Sequence, residues 1–412
     1  MIASNIAGLK FPSRYRPPKI VTYFQPIVSI KQMKVVAVEA LSRGVKEVGG
    51  SLIAPNRLFS HAEKAGSAPS LDSICSETAL RSFKRLATNK WDLILFLNLH
   101  SSLILKGSNG TDSLVRLVDE LGLNPSNIAL EIPESAIGDE AALAEFLATF
   151  RRRGFLIALD DVGKGYSNLD RIPTIKPSLL KVDRSIVAGI ADNFHKQQVF
   201  RSLVNLARTL GSLVVAEGVE TEEAALAALE CGADFLQGYY FEEPSVLDRD
   251  GMMSLGIEKI YSLAGKFIKR STENFHRKRS EKQKFRLVMK DIRRQLEPLP
   301  LEKLNAKLHD IVPIYSIVEC AYVIDASGIQ VTDTVFNRPM FLKAPNPIFY
   351  PTPIGSNHSL KPYYYVLREV GLDYFQSDPY VSLASGNLCV TVSTPFRGGD
   401  GRSYILCVDF SA

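Results

Sequence analysis

From Lys19 to about residue 245 the chain alternates short apolar runs with longer stretches of helical period. The runs are IVTYFQPIV (20–28), VVAVEAL (35–41), LILFLN (93–98), IALE (128–131), FLIALD (155–160), LLKVD (179–183), LVVAE (213–217) and DFLQG (234–238), eight in all. Runs of this length and composition read as buried strands. Between them, Leu143, Phe146, Leu147 and Phe150 follow the i, i+3, i+4, i+7 spacing of a helix, with Gly154 just beyond. Val199, Leu203, Leu206 and Leu210 predict a second helix that stops at Gly211, and Thr221 is placed to cap EEAALAALE, which ends at Gly232. Strand–helix alternation predicts an α/β protein with a parallel sheet. Eight runs favour a closed (β/α)8, TIM-like barrel over an open sheet. The link from Ser29 to Lys34 is too short for a helical crossover, so the first strand should pair antiparallel with the second.

The pattern divides the rest of the chain. Residues 1–18 form an arm in which Pro12, Pro17 and Pro18 oppose regular structure. The barrel occupies 19–250 and a connecting helix 251–297, ended by Pro298 and Pro300. A shorter helix follows at Leu301–Val312. Residues 298–412 then change to strands and turns, in CAYVIDASGIQVTDTVF (320–336), YVSLASGNLCVTVSTPF (380–396) and GRSYILCVDF (401–410), which predicts a small α+β domain. The Pro-rich piece between Pro339 and Pro362 reads as a long surface loop, and RGGDG (397–401) as a hairpin turn.

Charge changes the picture at one place. Lys266–Arg294 holds twelve Lys or Arg against three Asp or Glu, so a net +5 chain carries +9 there and about −4 elsewhere. Such a run is most often a solvated helix face. Few aromatics interleave it, which argues against DNA as a partner. No apolar run approaches the roughly 18 residues of a membrane helix, and the N-terminus lacks a signal-peptide pattern, so a cytoplasmic location is expected. Cys75, Cys231, Cys320, Cys389 and Cys407 are scattered, with neither a zinc pair nor a redox CxxC, and read as buried thiols.

The chemistry gathers at the C-terminal ends of the runs, where a barrel carries its catalytic groups. Those ends hold Glu39, Asn98, Glu131, Asp160 with Asp161, Lys181 and Asp183, Glu217, and Gln237. Carboxylates and an amide oxygen without His or Cys form a hard ligand set, which selects Mg2+ or Mn2+, with Ca2+ the third candidate. Two such ions could clamp a phosphodiester and activate a water. The adjacent pair Asp160–Asp161 suits a bridging role. Lys181 could steady phosphate charge or the water, and Glu217 is a candidate general base or a ligand.

These segments together resemble one family. VEALSR (38–43) is similar to the signature of the EAL domain, the cyclic-di-GMP-specific phosphodiesterases. YFQPIV, LNLH, LEIPES, DDVGKGYSNL, LLKVD, AEGVET and LQGYYF follow in the family's order over about residues 20–245. The resemblance implies that Glu39, Asn98, Glu131, Asp160, Asp161 and Glu217 are metal ligands in a two-metal site. It implies that Lys181 lies beside the metals and the attacking water, and that Glu217 acts as base. Gln25, Arg43, Asp183 and Gln237 fall at substrate-contacting places, Glu134 where the Asp–Asp loop is held, and Glu220 where the site is organised. The loop departs from the family's DDFGTGYSSL at Val162, Lys164 and Asn168. Pro133 and His100 replace a usual threonine and serine, and His100 reads as a structural histidine rather than a ligand.

The C-terminal region resembles a PAS- or Cache-like sensory domain, in which Tyr363, Tyr364 and Tyr365 could touch a small ligand, although core packing is the commoner use of aromatics. The expectation is a metal-dependent phosphodiesterase opening cyclic-di-GMP to linear pGpG under sensory control, as a homodimer. The alternative is a catalytically weak receptor that binds nucleotide and metal and signals to a partner.

Overall fold

The computed structural model describes residues 17–46, 50–86, 93–100, 108–133, 140–165, 169–246, 256–337 and 348–411. It divides into two compact units, Met1–Ser271 and Thr272–Ala412.

The first unit is a closed barrel. Its strands are β1 (Lys19–Ser29), β2 (Lys34–Val45), the short β3 (Leu52–Ile53), β4 (Ile94–Asn98), β5 (Ile128–Pro133), β6 (Leu156–Val162), β7 (Leu179–Val182), β8 (Leu213–Ala216) and β9 (Phe235–Gln237). The order β1-β9-β8-β7-β6-β5-β4-β2 is closed by the β1–β2 pairing, and β3 adds to the outside of β2. The pairs from β2–β4 through β8–β9 are parallel, whereas β1 is antiparallel to both β2 and β9. The turn at residues 30–33 imposes that reversal, as the short link predicts.

Around the strands lie α1 (Pro55–Lys64), α2 (Ala68–Leu86), α3 (Ser108–Glu120), α4 (Glu140–Arg152), α5 (Phe194–Thr209) and α6 (Glu222–Cys231). Helix α4 buries Leu143, Phe146, Leu147 and Phe150, the predicted stripe, and Phe146, Phe150 and Phe155 meet edge to face. On α6 the Thr221 side chain accepts from the Ala224 amide at 3.1 Å, and Gly232 closes the helix at φ +108°. The stripe expected on α5 is displaced. The helix buries Phe200, Leu203, Val204 and Ala207, while Val199 and Leu210 are each 49% exposed. The bulky Phe200 draws the buried face round by about one residue.

The barrel interior has two layers with one rule. Ile27, Ala37, Phe96, Ala129, Ala158, Leu179 and Val215, with Phe235, form an apolar cluster. Two residues further toward the mouth stand Gln25, Glu39, Asn98, Glu131, Asp160, Lys181, Glu217 and Gln237. Side chains two apart on a strand share a face, so every interior position over the apolar floor is polar. Gln25 precedes Ile27 in sequence because β1 runs the other way.

Helix α7 (Ile257–Leu296) starts in the first unit, where Ile260, Leu263 and Ala264 join the barrel's outer core. Its end belongs to the second unit, whose core includes Met289, Ile292 and Leu296. That unit adds α8 (Leu301–Ile311), α9 (Pro362–Val370) and an antiparallel sheet of β10 (Val318–Asp325), β11 (Val335–Phe336), β12 (Phe375–Gln376), β13 (Tyr380–Val381), β14 (Leu388–Arg397) and β15 (Ser403–Ser411), in the order β11-β10-β15-β14-β12 with β13 on β14. Residues 398–402 are the hairpin turn between β14 and β15. The expected surface loop before Pro362 is partly core. His358 is 4% exposed and lies 3.0 Å from Gln330 Oε1 and 2.7 Å from the Tyr363 hydroxyl. Burial lowers its pKa to about 4, so it is a neutral hydrogen-bonding group. The stretch 338–347 lies outside the described residues.

Candidate active site at the barrel mouth

The polar layer converges on one ammonium. Lys181 on β7 is 1% exposed, and its Nζ lies 3.3 Å from Glu39 Oε2, 3.2 Å from Asp160 Oδ1, 2.6 Å from Glu217 Oε1, and in contact with Glu131 Oε1. An ammonium has three protons, so it cannot serve four carboxylates with good geometry. Both oxygens of Glu131, and Oδ1 of Asp160, are buried yet accept no well-directed hydrogen bond. They touch charge without being satisfied by it. Buried orphaned carboxylate oxygens are what a hard divalent cation would complete.

The surrounding amides are already committed. Gln25 lies opposite Glu39 in the β1–β2 register. Gln237 Nε2 donates to Glu39 Oε2 at 2.7 Å and to Gln25 Oε1 at 3.1 Å, and Asn98 Nδ2 donates to Glu39 Oε1 at 3.0 Å. Gln237 Oε1 is buried without a partner.

The carboxylates differ in proton affinity. Burial pushes Glu131 well above the usual range, with Glu39's charge adding to it. Burial also raises Asp160, and lifts Glu217 to about 8. At Glu39 burial is outweighed by Lys181 and the two amides, and its pKa falls below the usual range. For Lys181 the four carboxylates overcome the cost of burial and hold it firmly charged. Without metal, Glu39 therefore holds a proton less readily than the Glu131, Asp160 and Glu217 carboxyls beside it.

Asp161 needs a special backbone. Neighbours on a strand point to opposite faces, so two adjacent aspartates cannot both face the mouth from regular β-structure. The β6–β7 register shifts between Leu159 and Val162, and Asp161 adopts φ +59°, a conformation Asp tolerates better than most residues. As a result Asp160, Asp161 and Glu217 each place an oxygen within 4.8 Å of the others. Gly163 follows at φ +94°, and a Cβ there would lie 2.2 Å from Ile186 Cδ1. Lys164 Nζ reaches back to Asp161 Oδ1 at 2.8 Å.

Other predicted positions stand apart from this cluster. Glu220 pairs with Arg184 at 2.9 Å, and both line a cavity of about 310 Å³ with Asp160, Asp161, Lys181 and Glu217. Asp183 caps the helical turn Arg184–Val187, accepting from the Ser185 amide at 2.8 Å. Arg43 donates to the Ser42 carbonyl and lies over the Tyr23 ring. Glu134 is outside the described residues. His100 stacks on Phe59 and meets Glu63 at 3.2 Å. Tyr363 and Tyr364 are buried in the second unit's core.

Sequence reasoning overlooked a second cavity of about 450 Å³, which runs from Glu39, Asn98 and Asp160 to Asp72, Ser76, Phe59 and His100. Asp72 is 2% exposed, its Oδ2 has no partner, and burial raises its pKa to about 7. The available signal was on α2, where Asp72 and Ser76 interrupt the stripe of Leu71, Cys75, Ala79 and Phe83.

A sequence profile of the EAL domain matches residues 14–244, more than half of the chain. The EAL-domain containing protein YkuI of Bacillus subtilis is 26% identical over 400 residues, covering 94% of this chain and 93% of YkuI. The crystal structure of YkuI in complex with substrate c-di-GMP and calcium matches with a TM-score of 0.76 at 25% identity, over 95% of this chain and 96% of that one. The probable cyclic di-GMP phosphodiesterase PdeI of Escherichia coli is 31% identical over 239 residues, which is 56% of this chain and 30% of PdeI. The cyclic di-GMP phosphodiesterase RocR of Pseudomonas aeruginosa is 31% identical over 224 residues, 54% of this chain and 56% of RocR. The chain thus spans less than two thirds of the length of these two phosphodiesterases.

Proposed function

This chain belongs to the EAL domain family, and we propose from that premise that it is a metal-dependent phosphodiesterase that hydrolyses cyclic-di-GMP to linear pGpG. The observation that carries the reading is the layer of carboxylates around Lys181 with orphaned buried oxygens on Glu131 and Asp160. Glu39, Asn98, Glu131 and Asp160 would hold one ion, and Asp160, Asp161 and Glu217 a second. The chemistry of the set favours Mg2+ or Mn2+. Bound there, the ions supply charge neutralisation at the phosphodiester and a more acidic water.

The chain's own groups do the rest. Were cations to take up part of the carboxylate charge, the Lys181 ammonium would be free to donate to a phosphate oxygen. Glu217, ionised once cations share its charge, would take the proton of the attacking water as the new P–O bond forms and one phosphodiester P–O bond breaks, and that proton would pass on to the departing oxygen. The unpartnered Gln237 Oε1, with Gln25, faces the nucleotide. Arg43 offers a guanidinium to a phosphate. The Asp72 cavity suits a guanine, whose amino group would donate to the orphaned Oδ2.

We further propose that the second unit is a PAS- or Cache-like sensory module in a homodimer. Its ligand would be a small molecule. A cavity of about 520 Å³ there is lined by Arg286, Lys290, Arg293 and Arg294 together with Glu297 and Asp373, beside Tyr374 and Thr394. A receptor that binds nucleotide without turnover is the second reading, and the Lys164–Asp161 ion pair favours it, because it occupies a carboxylate the second ion needs.

The test is to incubate the purified full chain with cyclic-di-GMP and Mn2+ or Mg2+ and to separate products chromatographically. Appearance of pGpG supports the enzyme. Tight nucleotide binding with no pGpG under either metal rejects it in favour of the receptor.

A further inference from the structure

The carboxylates of the mouth are divided between two lysines. Lys181 is buried and holds Glu39, Glu131, Asp160 and Glu217. Asp161 is left to Lys164, the only cation paired with it among the described residues. That contact is built into the loop. The Lys164 amide donates to the Asp161 carbonyl at 3.0 Å, which closes a tight turn. Gly163 makes the turn possible, since any side chain there would strike Ile186. The turn returns the Lys164 side chain over the carboxylate three residues before it. From there Lys164 also lines the cavity that runs past Glu39, Asn98 and Asp160. The ammonium thus lies against the one carboxylate of the Asp160–Asp161–Glu217 group that Lys181 does not neutralise.

We infer that Lys164 is a tethered cation that competes with a divalent metal ion for Asp161. The inference rests on the reading of the mouth as a metal site. An ion held by Asp160, Asp161 and Glu217 would draw on a carboxylate whose Oδ1 already meets the ammonium, and the ammonium stays on a short tether and repels it. The competition is finite. The Lys164 side chain is 61% exposed, so once released it is solvated by water. An exposed pair of this kind is weak, which sets its effect on metal affinity at roughly two- to fivefold rather than orders of magnitude. The Glu39–Asn98–Glu131–Asp160 position is untouched by Lys164 in this way. Lys164 should therefore lower affinity at the Asp161 position alone, whereas the Lys181 ammonium lies among the carboxylates of both positions. The Asp161 position is then tuned by a residue that is not itself a ligand.

The test uses the metal-stripped full chain without nucleotide. Free Mn2+ is followed by electron paramagnetic resonance, and heats of binding by calorimetry, for wild type, Lys164→Ala, Lys164→Arg and Asp161→Asn. The expected result is an Mn2+ site in wild type that depends on Asp161. Lys164→Ala should tighten that site by roughly two- to fivefold, Lys164→Arg should leave it as in wild type, and Asp161→Asn should abolish it. An unchanged or weakened site in Lys164→Ala overturns the competition, while leaving the metal reading standing. Absence of any Mn2+ binding in all four proteins overturns the inference and the metal reading beneath it together.

Discussion

Lys181→Met tests the electrostatic centre of the barrel, because methionine fills most of the space of the lysine stem and removes the ammonium with its charge and its three donors. The ammonium is the single buried cation shared by Glu39, Glu131, Asp160 and Glu217. Breaking a buried ion pair by deleting one partner costs about 3–5 kcal/mol. Here several carboxylates lose their partner at once, but they can relieve the repulsion by taking up protons, so the same range is the expected cost near neutral pH. A domain of this size shifts its midpoint by about 2–4 °C per kcal/mol. The barrel transition should therefore fall by roughly 6–20 °C in chelator. Differential scanning calorimetry of the full chain reads this, and the transition of the second unit serves as internal reference. Two further signs identify the cause. The deficit should shrink at pH 5, where the carboxyls left without the ammonium are more readily protonated. It should also shrink in millimolar Mn2+, because a ligand that binds only the folded state stabilises it. A barrel transition within 2 °C of wild type at pH 8 in chelator would refute the view that Lys181 holds the cluster together.

Glu217 gives a pH dependence of definite sign. Its folded pKa of about 8 stands above the ordinary 4.5, so the stability it contributes is complete below about 4.5 and is lost as pH rises through about 8. In chelator the barrel midpoint should decline over that window, and Glu217→Gln should flatten the decline; an equal slope in both proteins rejects the assignment. Mn2+ affinity should climb over the same window, with proton release visible as a buffer-dependent binding heat. Glu39→Ala should lower pGpG formation by at least a hundredfold while circular dichroism stays unchanged, and wild-type turnover in that variant would dismiss the site. Replacing Mn2+ by Ca2+ should suppress turnover but keep nucleotide bound, since calcium's larger, looser coordination suits in-line attack poorly. Gly163→Ala should destabilise the barrel by about 1–3 kcal/mol, and adding Ile186→Ala should recover the steric part. Full recovery would show that φ +94° at residue 163 carries no strain of its own.

The barrel was legible because two physical signals agree along the chain. The strand runs carry their polar residue at the mouth end, and the interior obeys a period of two: Ala37 then Glu39, Ala129 then Glu131, Leu179 then Lys181. A barrel interior cannot be solvated at its floor, so the floor is apolar, and only the layer above it can hold charge. The antiparallel first strand followed from chain length alone. The same reasoning missed what depends on packing between distant segments. Val199 and Leu210 fit a helical stripe as well as Phe200 and Val204 do, and only the surface they cover selects between them. His358 was hidden in a Pro-rich stretch that looks like a loop, although a hydrogen-bonded histidine, glutamine and tyrosine anchor it in the core. Asp72 lies far from the mouth in sequence, and its carboxylate is informative only once the cavity between α2 and β4 is seen.

The loop after the two aspartates shows why an intact ligand set is an incomplete guide to function. Asp160 and Asp161 can both face the mouth only because the strand breaks its register and Asp161 crosses to positive φ. That crossing requires a turn directly afterwards, and a turn brings the residue three positions on back over Asp161. The identity of residue 164 therefore decides what charge the aspartate sees before any metal arrives. A neutral side chain leaves Asp161 with no fixed counter-charge among the described residues, whereas Lys164 provides one at 2.8 Å. On the proposed reading of the mouth, the turn that brings Asp161 to a second cation also creates the place from which that cation would be opposed. Ligand residues would set whether such a site can exist, and the turn residue would adjust how tightly it fills.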